Sequence, residues 1–175
     1  MSNKQALREF QSRLAERLQS ARTTGVAASW LAVETGDLRL LFPLSHAGEI
    51  FSWTDVQRVP YVQPWFMGVA NLRGGLFGVV DLARLIDPAA TPVRNESAWA
   101  QARLVTLNAD AGVNGALVVD RLMGLRRQEA FLSAEPAPSG SPPYFGQCFL
   151  DREGRPWQEI DLYALSQTPA FLSIG

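Results

Sequence analysis

The sequence predicts an all-β protein, a barrel or sandwich with helices only near its two ends. Two observations carry this. Short apolar runs rich in Val, Leu and Phe recur from residue 26 to residue 162, separated by Gly-, Pro-, Asp- and Asn-rich turns. Helical spacing of apolar residues is strong only in the first segment, where Leu7, Phe10, Leu14, Leu18 and Ala21 fall on one stripe. At 175 residues the chain is long enough to bury a core without disulfides or metal.

Taken in order, residues 4 to 22 read as an amphipathic basic helix. Lys4, Arg8, Arg13, Arg17 and Arg22 against Glu9 and Glu16 give this segment +3, and the remainder of the chain carries −4. Its apolar stripe either packs on the domain or docks a partner; a membrane-surface role suits so modest a stripe less well. After Thr23-Thr24-Gly25, Val26 to Glu34 reads as a strand, Thr35-Gly36-Asp37 as a turn, and Leu38 to Leu44 as the returning strand. Trp65 to Leu72 and Leu76 to Leu82 form a second hairpin through Arg73-Gly74-Gly75, where glycine permits the positive φ a tight turn needs. Ala83 to Ile86 reads as a helical turn before Asp87-Pro88, and DPAATPVRNESAW as a surface loop between two lobes. Ala102 to Asn108 and Ala116 to Asp120 are apolar strands joined by ADAGVNG, and Arg121 to Ala130 extends the second or forms another. SAEPAPSGSPP, with four prolines, is a loop. Tyr144 to Leu150 and Trp157 to Leu162 flank the turn DREGRP, and a short helix from Leu162 to about Leu172 closes the chain, limited or bent by Pro169.

The residues offer little for catalysis. His46 is the only imidazole and reads as a loop or surface histidine, and Cys148 lies in an apolar strand as a buried structural thiol. One Cys and one His cannot assemble a zinc cluster. Asp81, Asp120 and Asp161 each close an apolar strand; such residues bond turn backbone or cap helices more often than they serve as acid and base. ANLRGGLFG runs from strand to strand with no Lys-Ser or Lys-Thr after it, so it is no phosphate loop. Net charge of −1 argues against a nucleic-acid binder. The N-terminus has no apolar h-region and no stretch approaches the roughly 18 to 20 apolar residues of a membrane span. We expect no catalytic residue, cofactor, metal, nucleic acid or membrane insertion, and a cytoplasmic protein.

Residues 59 to 86, VPYVQPWFMGVANLRGGLFGVVDLARLI, strongly resemble the signature region of CheW-like chemotaxis adaptors, with Val-Pro, a second proline, Gly-Val, Asn-Leu-Arg-Gly and a strand ending in Asp-Leu. ALVVD (116 to 120) with Met123-Gly124-Leu125, and EIDLYAL (159 to 165), match further family segments, so the resemblance spans about residues 26 to 166. Gly78 departs from it, since proline is usual there. Within the family the layout looks closest to the PilI-type twitching-motility adaptors, which carry N-terminal extensions. The resemblance implies two packed SH3-like five-stranded barrels: residues 1–24 as the helix and 25–175 as the domain, roughly 25–88 and 98–175 as lobes, with possible strand exchange. It implies a non-enzymatic adaptor that binds the regulatory domain of a CheA-type histidine kinase and, in a groove between lobes, the helical tip of a chemoreceptor. It also implies recruitment to membrane-associated receptor arrays and a link to type IV pili. Its site residues would be an Arg73 to Glu49 pair at the groove rim, for which a purely structural pair is an equal reading, Asn71, Leu72 and Gly74 of the same turn, and an apolar surface of Val59, Pro60 and Trp65, the last suiting the core equally. A barrel holding a small apolar ligand, or an oligonucleotide-binding barrel, are the competing readings of the strand pattern.

Overall fold

The computed structural model describes residues 3–23 and 29–175, with side chains described for 3–15 and 29–175. Thr24, Gly25 and the first residues of the expected strand, 26–28, lie outside the described residues, as do the side chains of Leu18 and Ala21. The first helix, α1 (Asn3–Thr23), agrees with the 4 to 22 expectation.

Among the described residues the strands form two sheets. One has six strands: β1 (Ser29–Thr35), β2 (Leu38–Pro43), β8 (Arg121–Arg127), β9 (Phe131–Glu135), β10 (Phe145–Asp151) and β11 (Pro156–Ile160), in the order β8-β1-β2-β11-β10-β9. The other has five: β3 (Ala47–Ser52), β4 (Phe66–Leu72), β5 (Gly75–Asp81), β6 (Arg103–Leu107) and β7 (Gly115–Val119), in the order β3-β6-β7-β5-β4. Six short helices or helical turns connect or follow them among the described residues, including α2 (Leu82–Ile86), α3 (Glu96–Gln101), α4 (Leu162–Ser166) and α5 (Pro169–Leu172). The fold is therefore mostly β. The sheets do not divide at the 87 to 99 segment: β1 and β2 share a sheet with the C-terminal strands, and β11 runs parallel to β2.

Period-two alternation explains why so many strands read as continuous apolar runs. In β1, Leu31 and Val33 enter a large central cluster, while Trp30 and Ala32 enter a second cluster on the opposite face with Phe149 and Trp157. In β7, Leu117 and Val119 join the central cluster and Ala116 and Val118 a third, with Leu72, Val79 and Leu104. Each sheet is thus buried on both faces, and the central cluster is the seam between them. Pro169 begins α5, where its missing N–H costs nothing, so the expected closing helix is two short ones.

Several expectations are corrected. NESAW is not loop throughout: the Asn95 side chain accepts the Ala98 N–H and starts α3. The strands β3 and β9 were not anticipated. The hairpin at DREGRP is as expected, held by the Asp151 carboxylate. That group accepts from the Trp157 indole at 3.0 Å and from the backbone N–H groups of Glu153 and Arg155 at 2.9 Å, which holds it well below the usual carboxylate range.

Candidate functional site: a hairpin tip and a bulged edge strand

β4 and β5 pair in register down to Leu72 opposite Gly75, leaving Arg73 and Gly74 as a two-residue turn. Their φ values, +51° and +78°, are both positive, as a type I′ turn requires. Asn71 closes the turn by accepting the Gly74 N–H at 2.9 Å. Arginine at the first turn position is unusual, because a Cβ in the left-handed region costs about 1 kcal/mol or more.

Opposite this tip, β3 carries a β-bulge. Ala47 pairs with Leu107 and Ile50 with Val105, so Gly48 and Glu49 together face Thr106. The buried Thr106 hydroxyl accepts the Glu49 N–H at 2.7 Å and donates to the Glu49 carbonyl at 3.3 Å. Glycine at 48 is required: a Cβ there would stand 2.5 Å from the Thr106 hydroxyl and 2.9 Å from the Leu107 carbonyl oxygen. The bulge aims Glu49 at Arg73, whose Nε and Nη1 lie 3.2 and 3.4 Å from the two carboxylate oxygens. Both side chains are largely in solvent, 73% and 53% exposed, so the pair adds little to stability. Glu49, Leu72 and Arg73 line an open cavity of about 560 Å³ with Phe51, Phe77, Asn108 and Asn114.

The remaining expected site residues divide. Val59 and Pro60 are exposed on the 53–65 loop, next to Tyr61 at φ +60°, and none of the three lines the Glu49 to Arg73 cavity. Trp65 is not a surface residue: it is 8% exposed, sits in the central core and stacks on Phe171 at 11° between ring planes. It immediately precedes β4 and enters the central cluster beside Phe66. Leu72 is likewise buried, its edge alone reaching the cavity. Thr106 and Gly48 went unread in the sequence; a Gly-Glu pair opposite a threonine is too slight a signal to mark a bulge.

The groups weighed for chemistry have structural partners. Asp81 and Asp120 end β5 and β7 and both take the guanidinium of Arg94, while Asp120 also accepts the Gly36 N–H at 2.6 Å. Asp161 caps α4 by accepting the Ala164 N–H at 2.9 Å. His46 is half-buried rather than free at the surface. Its Nδ1 accepts the Leu162 N–H at 3.2 Å, so its proton sits on Nε2, and burial lowers its pKa although Asp161 and Glu159 oppose the shift. Cys148 is half-buried, its thiol pushed up by desolvation and by Glu135. No helix among the described residues is long and apolar enough to cross a membrane.

A family model described as CheW-like domain matches residues 29–170. The chain is 26% identical over 166 residues to Protein PilI of Pseudomonas aeruginosa, covering 93% of this chain and 89% of that one. Its structure is similar, with a TM-score of 0.65, to the crystal structure of the scaffolding protein TtCheW from Thermoanaerobacter tengcongensis. That likeness covers 83% of this chain and 96% of that one at 13% identity, a likeness of fold. The signature turn, the two sheets and the family match agree, and the chain belongs to the CheW-like domain family.

Proposed function

We propose that the chain is a non-enzymatic adaptor that couples chemoreceptors to a CheA-type histidine kinase, in a chemosensory system linked to type IV pili. The observation that carries it is Arg73. An arginine is held in a left-handed turn position, exposed at a hairpin tip and paired with a carboxylate that a bulge aims at it. Backbone cost with no return in stability is what a binding residue shows. Family membership supports the adaptor class, and the similarity to PilI supports the pilus link.

In this reading residues 25–175 act as one CheW-like domain, and each sheet curls around its own side cluster toward an SH3-like barrel. Glu49 and Arg73, framed by Asn71, Leu72 and Gly74, form the receptor-facing rim, with Val59 and Pro60 as a separate exposed contact. The protein works in the cytoplasm and is recruited to receptor arrays. The faces of the sheets away from the seam are packed by Trp30, Phe149 and Trp157 and by Leu72, Val79 and Leu104, which argues against a small ligand held inside. The test is size-exclusion chromatography of the purified chain with the regulatory domain of the CheA-type kinase from the same organism. Co-elution is expected; separate elution at micromolar concentrations of both would contradict the kinase half of the proposal.

A further inference from the structure

β3 and β8 are each the edge strand of their sheet, and a groove runs between them. Leu31, Leu44, Ala47, Ile50, Leu122 and Leu125 line it, and almost all of its wall is apolar. A cavity of about 130 Å³ remains in it. Its other wall is Leu14 of α1. Among residues 3–15, Leu14 is the one half-buried residue. Leu7 and Phe10, on the same stripe, stand 58% and 65% exposed.

We infer that α1 is the resident, displaceable occupant of this groove, holding it in cis until a partner helix with the same leucine spacing takes its place. Three features support this. The groove receives a leucine from a helix, so it is built for helix-in-groove docking with anchors at i, i+3 and i+7, which is the spacing of Leu7, Phe10 and Leu14. The anchoring is slight, since one leucine of the described half reaches the groove while two apolar side chains of the same stripe are left in water. A permanent cover for two sheet edges would bury that stripe. Third, Gly48 of β3 lines both this groove and the cavity at the Glu49 to Arg73 rim, so the two sites adjoin along one strand. The identity of the displacing helix as a receptor tip rests on the adaptor reading; the occupancy of the groove by α1 does not.

The experiment uses the full chain and no kinase or receptor, so it stands or falls apart from the adaptor reading. Methyl NMR follows Ile50, Leu122 and Leu125, with a synthetic peptide of residues 3–23 as the probe. Leu14→Asp is expected to shift all three methyl groups, and Leu7→Asp, at an exposed site of the same helix, to leave them in place. Added peptide should return the Leu14→Asp spectrum toward that of the parent chain. The parent chain should need about tenfold more peptide or beyond, because burial of one leucine side chain shifts an equilibrium by roughly that factor. Leu125→Ala, made from the groove side, should also weaken peptide capture. If Leu14→Asp leaves Ile50 unmoved, or if the peptide binds parent and variant alike, α1 does not hold the groove and the inference is overturned.

Discussion

Arg94 and Asp81 join in two parallel hydrogen bonds, 3.0 and 3.1 Å long, with both side chains almost wholly buried at 5% and 3% exposure. Arg94 comes from the segment between the strand groups, packs against Trp99 at 5.1 Å and also binds Asp120, so one cation neutralises the carboxylates that end two adjacent parallel strands. Removing it leaves two carboxylates with only Arg84, 3.8 Å from Asp81, as a nearby cation. Arg94→Met should cost about 3–5 kcal/mol in urea unfolding, the range for breaking a buried ion pair. A loss below about 1 kcal/mol would mean water already screens the cluster.

The turn at Arg73 carries a cost that a better turn residue would remove. Arg73→Asn should raise stability by up to about 1 kcal/mol, since asparagine tolerates the left-handed region. The same change should weaken partner binding. Chemical denaturation and a binding titration run on one preparation check both signs, and a less stable Arg73→Asn protein would show the arginine is structural.

His46 sets a pH dependence whose sign follows from its lowered pKa. The unfolded chain takes up a proton near 6.5, before the folded chain does. Stability is therefore full above about pH 6.5 and falls as pH drops through the lower folded value, where a protonated Nδ1 can no longer accept the Leu162 N–H. His46 is the chain's only histidine, so a melting series from pH 8 to 5 should slope downward on the acid side and His46→Gln should flatten it.

Gly78, where the family resemblance leads one to expect proline, sits against the Phe66 ring. A Cβ at 78 would lie 2.9 Å from the Phe66 ring, and the Gly78 N–H donates to the Asn114 carbonyl at 2.9 Å. Gly78→Ala should cost about 1–3 kcal/mol from overpacking, and Phe66→Leu in the same chain should recover part of it. Additive losses in that double-mutant cycle would show the two sites to be independent.

What could be read beforehand follows from how local each signal was. The hairpins β1–β2, β4–β5 and β10–β11 were legible because each joins two apolar runs across a short Gly-containing turn, and α1 because five apolar residues recur at helical spacing. The β3 strand was not, since its bulge at Gly48 and Glu49 breaks the alternation that marks a strand. The mostly exposed β9 shows no clean alternation, since its two large apolar residues, Phe131 and Leu132, are adjacent. The pairing of β2 with β11 joins residues more than a hundred positions apart, and no local pattern encodes it. In the site, the Asn71 to Gly74 turn could be read from residue types, and the Glu49 to Arg73 pair came from the family pattern and has its geometry here. Trp65 stayed open between surface and core, because an aromatic just before a strand suits either until its packing partners are known.

The central claim is that the Arg73 tip serves recognition and not the fold. It is tested most directly by sedimenting the Arg73→Glu protein with receptor cytoplasmic tips while measuring its urea midpoint. The account predicts that retention by the tips is lost while stability changes by less than about 1 kcal/mol, as for an exposed pair. Unfolding of the variant, or full retention with the charge reversed, would contradict it.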